Sequence, residues 1–278
     1  QNFENFSIEF KELIKSLKTL KKIKRVILIG MGSSFNACML GAKYFESLTK
    51  IPAFAENSSE FLYSEKKISK DDLIIAITQS GETAETIRCI EKSKQNGCYA
   101  ISLVEQEISQ AGRISDICIP LNCGQEFSVA ATKTFTSSLI ILYTLALFFA
   151  SKINNQTDKE IKDHLSNLNK LPKLIGETIQ QQFLYKKISE KIYSKDHLLY
   201  LGRENMLPIA SEGALKMKEV SYLHAEAYPA GEMKHGVNAL IGSSMPTIVL
   251  APSDELHSKM INTINEILSR NGKIIALI

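Results

Sequence analysis

Apolar residues in this chain gather in short runs rich in Ile, Val and Leu, separated by stretches of roughly 12 to 20 residues in which they recur at helical spacing. The runs predict strands over 25–30, 51–56, 73–78, 98–103 and 117–121, and again over 197–201, 246–251 and 273–278. Runs that stay apolar without alternating belong to strands covered on both faces, and regular alternation with helices makes the strands parallel. The predicted fold class is therefore α/β, with two tandem domains, each a parallel sheet with helices on both faces. Gly97 and Gly272, at the ends of predicted helices, suit left-handed caps.

The pattern repeats at an offset of about 172 to 175 residues. RVILIGMGSS (25–34) resembles HLLYLGREN (197–205), IIAITQSGET (74–83) resembles TIVLAPSDEL (247–256), and NGCYAISL (96–103) resembles NGKIIALI (271–278). The helix FKELIKSLKTLKK before the first strand has its counterpart in QQFLYKKISEKI. Residues 1–152 are thus expected to form a first domain and 153–172 a polar helical connection. Residues 173–278 are expected to form a second domain, incomplete at its C-terminus by at least about 45 residues on the repeat's own length. The chain's 278 residues suffice for two cores.

Composition narrows the partners. A net charge of +3 comes from scattered lysines, which gives no basic stripe for nucleic acid. The five cysteines form no CxxC pair and no zinc spacing, and read as reduced residues of a cytoplasmic protein. Residues 1–25 lack the apolar segment of a signal peptide. The longest apolar run, Leu139–Ala150, is too short to span a bilayer and is expected to be buried helix, so no membrane is implied.

In open parallel sheets ligands bind beyond the carboxyl ends of the strands. Two post-strand turns carry candidate chemistry: GMGSSFNA (30–37) and TQSGETAE (78–85). The first resembles a dinucleotide fingerprint, with Glu56 near a ribose-binding position, yet bulky Phe35 replaces its third glycine. In the second, Thr78, Ser80 and Thr83 offer hydroxyls beside a helix start, with Ser80 as expected N-cap and Gly81 allowing close approach. That makes a phosphate site without lysine, provided the Glu82 carboxylate points away; a simple helix cap is the alternative. Further on, Glu212, Lys216 and Glu219 share one helix face, as an ion-pair surface or as a proton shuttle for aldose–ketose interconversion. His235 lies in a glycine-flanked loop, where it is solvated or handles sugar ring opening.

TQSGET, EFSVAATKTFT, EGALKMKEVSYLHAEAY and GEMKHG together resemble the isomerase half, built of two sugar isomerase (SIS) domains, of the glutamine:fructose-6-phosphate amidotransferase (glucosamine-6-phosphate synthase) family. The resemblance implies binding of fructose 6-phosphate and isomerisation of the aminated open-chain sugar to glucosamine 6-phosphate. It carries the phosphate cradle to Thr78, Gln79, Ser80 and Thr83, with Ser34 nearby and Ser33 toward the sugar, and a sugar-contacting loop to the backbone around Val129. It makes Glu219 the proton carrier between C1 and C2, Lys216 the group steadying charge on the substrate oxygen, and His235 the ring-opening residue, supplied by the neighbouring subunit of a homodimer. It implies no metal, nucleotide or flavin, and it implies ammonia from an N-terminal glutaminase domain whose nucleophile is a cysteine, which Gln1 cannot replace. A lysine engaging the sugar carbonyl is expected in the missing C-terminal tail. Val237 stands where the family has proline, Ala131 where serine is common and Met31 where cysteine is common. The other readings are a stand-alone SIS isomerase, deaminase or deglycase, and a regulatory module that senses a phosphosugar; the latter has no need of Lys216, Glu219 and His235 together.

Overall fold

The computed structural model describes residues 8–153 and 157–278; Gln1 and part of the predicted connection lie outside them. The chain divides into two compact units, one up to Asn169 and one from Lys170. In the first, β1 (Arg25–Gly30), β2 (Ala53–Asn57), β3 (Asp72–Ile77), β4 (Tyr99–Val104) and β5 (Ile117–Pro120) form one parallel sheet in the order β2-β1-β3-β4-β5. In the second, β6 (His197–Gly202), β7 (His224–Pro229), β8 (Thr247–Leu250) and β9 (Ile274–Leu277) are parallel in the order β7-β6-β8-β9. The second order repeats β2-β1-β3-β4 strand for strand, so the sequence repeat is a repeat of topology.

Alternate residues of each central strand enter opposite cores, as the two-residue period of a strand requires. Val26 and Leu28 pack with the helices Ser33–Thr49 and Lys133–Ile153, whereas Ile27 and Ile29 pack with Phe61 and the helix Ala84–Gln95. In the second unit Leu199 and Leu201 face Met233, Met260 and Ile267, while Leu198 and Tyr200 face the helix Met206–Ser221. Register in the first sheet is pinned at its entry. Arg25 opposes Asp72 across β1 and β3, and its Nε and Nη2 bind the two Asp72 carboxylate oxygens at 2.7 Å each. A two-point guanidinium–carboxylate pair tolerates no one-residue slip.

Three expectations need correction. The segment after Glu219 holds a strand, β7, which escapes hydrophobic patterning because it is an edge strand with a single buried residue, Ala225. The left-handed residue closing the second copy's last helix is Asn271 rather than Gly272, because that helix ends at Ser269, earlier relative to the Asn-Gly pair than its counterpart at Gln95. Gly97 does take the left-handed conformation; Gly272 serves instead for close packing, since a Cβ there would lie 2.5 Å from an Ile267 methyl. The apolar run 139–150 sits in a 21-residue helix, Lys133–Ile153, long and apolar enough to cross a membrane. Here its residues Leu142, Leu145, Leu147, Phe148 and Phe149 are buried in the core of the first unit.

Candidate functional site

The carboxyl ends of β1 and β3 open onto a cavity of about 260 Å³ in the first unit. Six sequence-predicted residues line it together: Ser33, Ser34, Thr78, Gln79, Ser80 and Thr83. The turn after β3 is held from behind by the segment that follows β4. Thr78 N–H donates to the Leu103 carbonyl, Glu105 N–H to the Gln79 carbonyl and Ala111 N–H to the Gly81 carbonyl. With the outward backbone groups satisfied there, the hydroxyls are left to face the cavity. Gly81 is required by both conformation and space: its φ is +70°, and a Cβ would lie 1.9 Å from Ser109 Oγ.

The helix after this turn starts at Ala84, so its N-cap is Thr83 and not Ser80, and Thr83 makes no side-chain capping bond. Thr83 Oγ1 instead pairs with Thr78 Oγ1 at 2.9 Å, and Ser80 Oγ accepts from Glu82 N–H at 3.1 Å. The first turn of this helix is therefore not closed by a side chain of its own, an arrangement suited to an anion. Glu82 does not oppose it, because its carboxylate is turned back to accept Gln110 N–H at 2.9 Å. Glu56, the candidate ribose ligand, is engaged by Lys66.

Met31, Ile77, Thr86, Ala131, Thr134, Phe135 and Ser138 complete the lining. Thr134, Phe135 and Ser138 escaped the sequence reading because they open a helix otherwise read as core; their signal was the TKTFTSS spacing, which puts 134, 135 and 138 on one face. Val129, two residues before the lining Ala131, is 87% exposed.

In the second unit the helix Met206–Ser221 presents the predicted acid–base–acid face. Lys216 Nζ lies 2.6 Å from Glu219 Oε2 and 3.3 Å from Glu212 Oε1, and Glu212 is buried. The contact with Glu219 is ionic, outside hydrogen-bonding angles. His235 closes the 3₁₀ helix Ala230–His235 and is exposed, just before Gly236 at φ +131°. The repeat does not reproduce the cradle here. In the turn after β8, Pro252 and Asp254 replace Gln79 and Gly81, and the Asp254 carboxylate already accepts Leu256 N–H at 2.8 Å.

A doubled parallel α/β chain with a hydroxyl-lined turn at the strand ends defines the class: the chain belongs to the SIS domain family, which matches residues 19–148 and 191–278. It is 40% identical over 258 residues to the glutamine–fructose-6-phosphate aminotransferase [isomerizing] of Aquifex aeolicus, covering 93% of this chain and 42% of that protein. The protein of that name from Chlorobaculum tepidum is 38% identical over 261 residues, with 94% and 42% covered. Among solved structures, the C-terminal domain of glucosamine-fructose-6-phosphate aminotransferase from Francisella tularensis matches with a TM-score of 0.92 and 36% identity, covering 95% of this chain and 75% of that one. The chain spans less than half the length of the curated relatives it matches.

Proposed function

We propose that this chain is the sugar-isomerase part of a glucosamine-6-phosphate synthase, binding fructose 6-phosphate and forming glucosamine 6-phosphate with ammonia from a separate glutaminase domain. The observation that carries the reading is the Glu212–Lys216–Glu219 face. A lysine held between two carboxylates is a ready proton relay, and a module that only bound a phosphosugar would not need one. In this reading the phosphate takes the hydroxyls of Ser34, Thr78, Ser80 and Thr83 with Gln79, Ser33 lies toward the sugar, and the backbone near Val129 contacts it.

Ammonia adds to the C2 carbonyl of the open-chain ketose and water leaves, giving an imine. Glu219 then removes a proton from C1, and a proton returns at C2. The C1 hydroxyl becomes the aldehyde carbonyl and C2 keeps the amine. Lys216 stabilises charge on the substrate oxygen, and His235, from the neighbouring subunit of a homodimer, assists ring opening. The balance is one hexose 6-phosphate and one ammonia in, one amino sugar phosphate and one water out, with no change of oxidation state that calls for a redox cofactor.

Deuterium exchange at C2 of glucosamine 6-phosphate in D₂O reads the proton transfer without glutamine. Glu219→Gln should keep binding and lose exchange by about 10² to 10⁴. Mixed with His235→Ala chains under subunit exchange, it should recover part of the activity. Near-normal exchange in Glu219→Gln would reduce the face to an ion-pair surface, and failed complementation would remove the shared site.

A further inference from the structure

Residues at or near the starts of three helices of the first unit line the cavity. Ser33 and Ser34 start one, Thr83 and Thr86 flank the start of the second, and Thr134, Phe135 and Ser138 belong to the first turns of the third, Lys133–Ile153. Each such end carries about half a positive charge in its exposed N–H groups. Two anionic groups on one sugar could in principle use two of them.

The third end differs from the second. Glu126, on the loop before it, accepts Thr132 N–H at 2.8 Å, Thr134 N–H at 2.9 Å and the Thr134 hydroxyl at 3.1 Å, all on one carboxylate oxygen. The same loop is anchored at its start by Glu105, which accepts Cys123 N–H at 3.2 Å and Gly124 N–H at 3.0 Å. Burial works against the Glu126 charge, but the bonds from Thr134 and Thr132, aided by Lys133, outweigh it and hold the carboxyl below its usual range. A carboxylate thus stands one hydrogen bond behind Thr134, a residue of the cavity wall.

We infer that Glu126 determines specificity: it closes the third helix end, so that the cavity takes a sugar with one phosphate at Thr78–Thr83 and rejects a sugar carrying a second phosphate at its other end. This rests on the sugar-phosphate reading above and adds a direction to it. The cradle's helix carries Glu85 in its first turn but has no side-chain cap, and Glu82 is turned back to Gln110, whereas the Thr132 and Thr134 N–H groups are both taken by one carboxylate. A second phosphate there meets repulsion in place of donors, and like charges brought together at a site are a recognised source of discrimination.

Calorimetric dissociation constants for fructose 6-phosphate and fructose 1,6-bisphosphate test this in the wild type, Glu126→Gln and Glu126→Asp. The wild type should bind the bisphosphate at least about tenfold more weakly, a difference of about 1.4 kcal/mol. Glu126→Gln, which keeps the volume and one acceptor, should narrow that ratio about tenfold, mainly by tightening the bisphosphate; Glu126→Asp, which keeps the charge, should preserve it. A purely structural cap would weaken both ligands alike and leave the ratio unchanged in Glu126→Gln, which overturns the inference. Equal wild-type affinities, or an Asp variant as permissive as the Gln variant, overturn it as well. Absence of wild-type binding to fructose 6-phosphate would instead overturn the sugar-phosphate reading and this inference together.

Discussion

Ser80 is the residue on which the phosphate assignment is most exposed to test. Its hydroxyl accepts Glu82 N–H inside the turn and lines the cavity, so it can give its proton to a ligand without breaking that bond. Loss of a hydrogen bond to a charged group costs about 1.5–3 kcal/mol. Ser80→Ala should therefore bind fructose 6-phosphate roughly tenfold to a hundredfold more weakly by calorimetry, with mono- and bisphosphate affected alike. Unchanged affinity would move the phosphate elsewhere. Thr78, Ser80 and Thr83 were legible from sequence because turn hydroxyls after an apolar strand have few other uses. Thr134 and Glu126 were not, because one is a hydroxyl at the head of a core helix and the other a loop acid whose partners lie six and eight residues onward.

Among the elements, the helix Lys133–Ile153 owes part of its N-terminal stability to Glu126, and that contribution has a pH signature. The folded-state pKa lies below the ordinary value of 4.5, so the stabilisation is present above that value and is lost as pH falls through the lowered one. A side-chain cap contributes about 1 kcal/mol. In thermal melts followed by circular dichroism, Glu126→Gln should melt a few degrees below the wild type at pH 6, the difference shrinking below about pH 4.5. A constant difference at all pH values would show that the carboxylate charge does not act there. The elements themselves were unequally readable. β1, β3 and β4 are buried along nearly their whole length and appear as apolar runs. β7 reads HAEAYP because one sheet edge and part of a face are open, so packing gave its side chains no reason to be hydrophobic.

For the whole molecule, each hydrophobic cluster lies within one unit: two below residue 169 and two above 191. Calorimetric unfolding should accordingly resolve two transitions. Leu201→Ala, which empties a fully buried position beside Met233 and Val249, should lower only the second unit's transition, by about 2–5 kcal/mol. A single transition displaced as a whole would mean that the two cores melt together. The two copies also differ in what they carry, since the first has the hydroxyl turn and the second, with Asp254 across the equivalent turn, has the lysine and its two glutamates. One further consequence lies in the strand orders. In both sheets the first strand of the unit, β1 or β6, ends up in the interior, with a neighbour on each side. During synthesis β1 leaves the ribosome with both of its hydrogen-bonding edges bare, and its second neighbour is complete only when residue 77 has emerged. This early, largely apolar strand of each unit thus spends longest as a nascent segment, and the interval before its flanks are covered is where a trigger-type chaperone would act and where slowed translation would most favour misassembly.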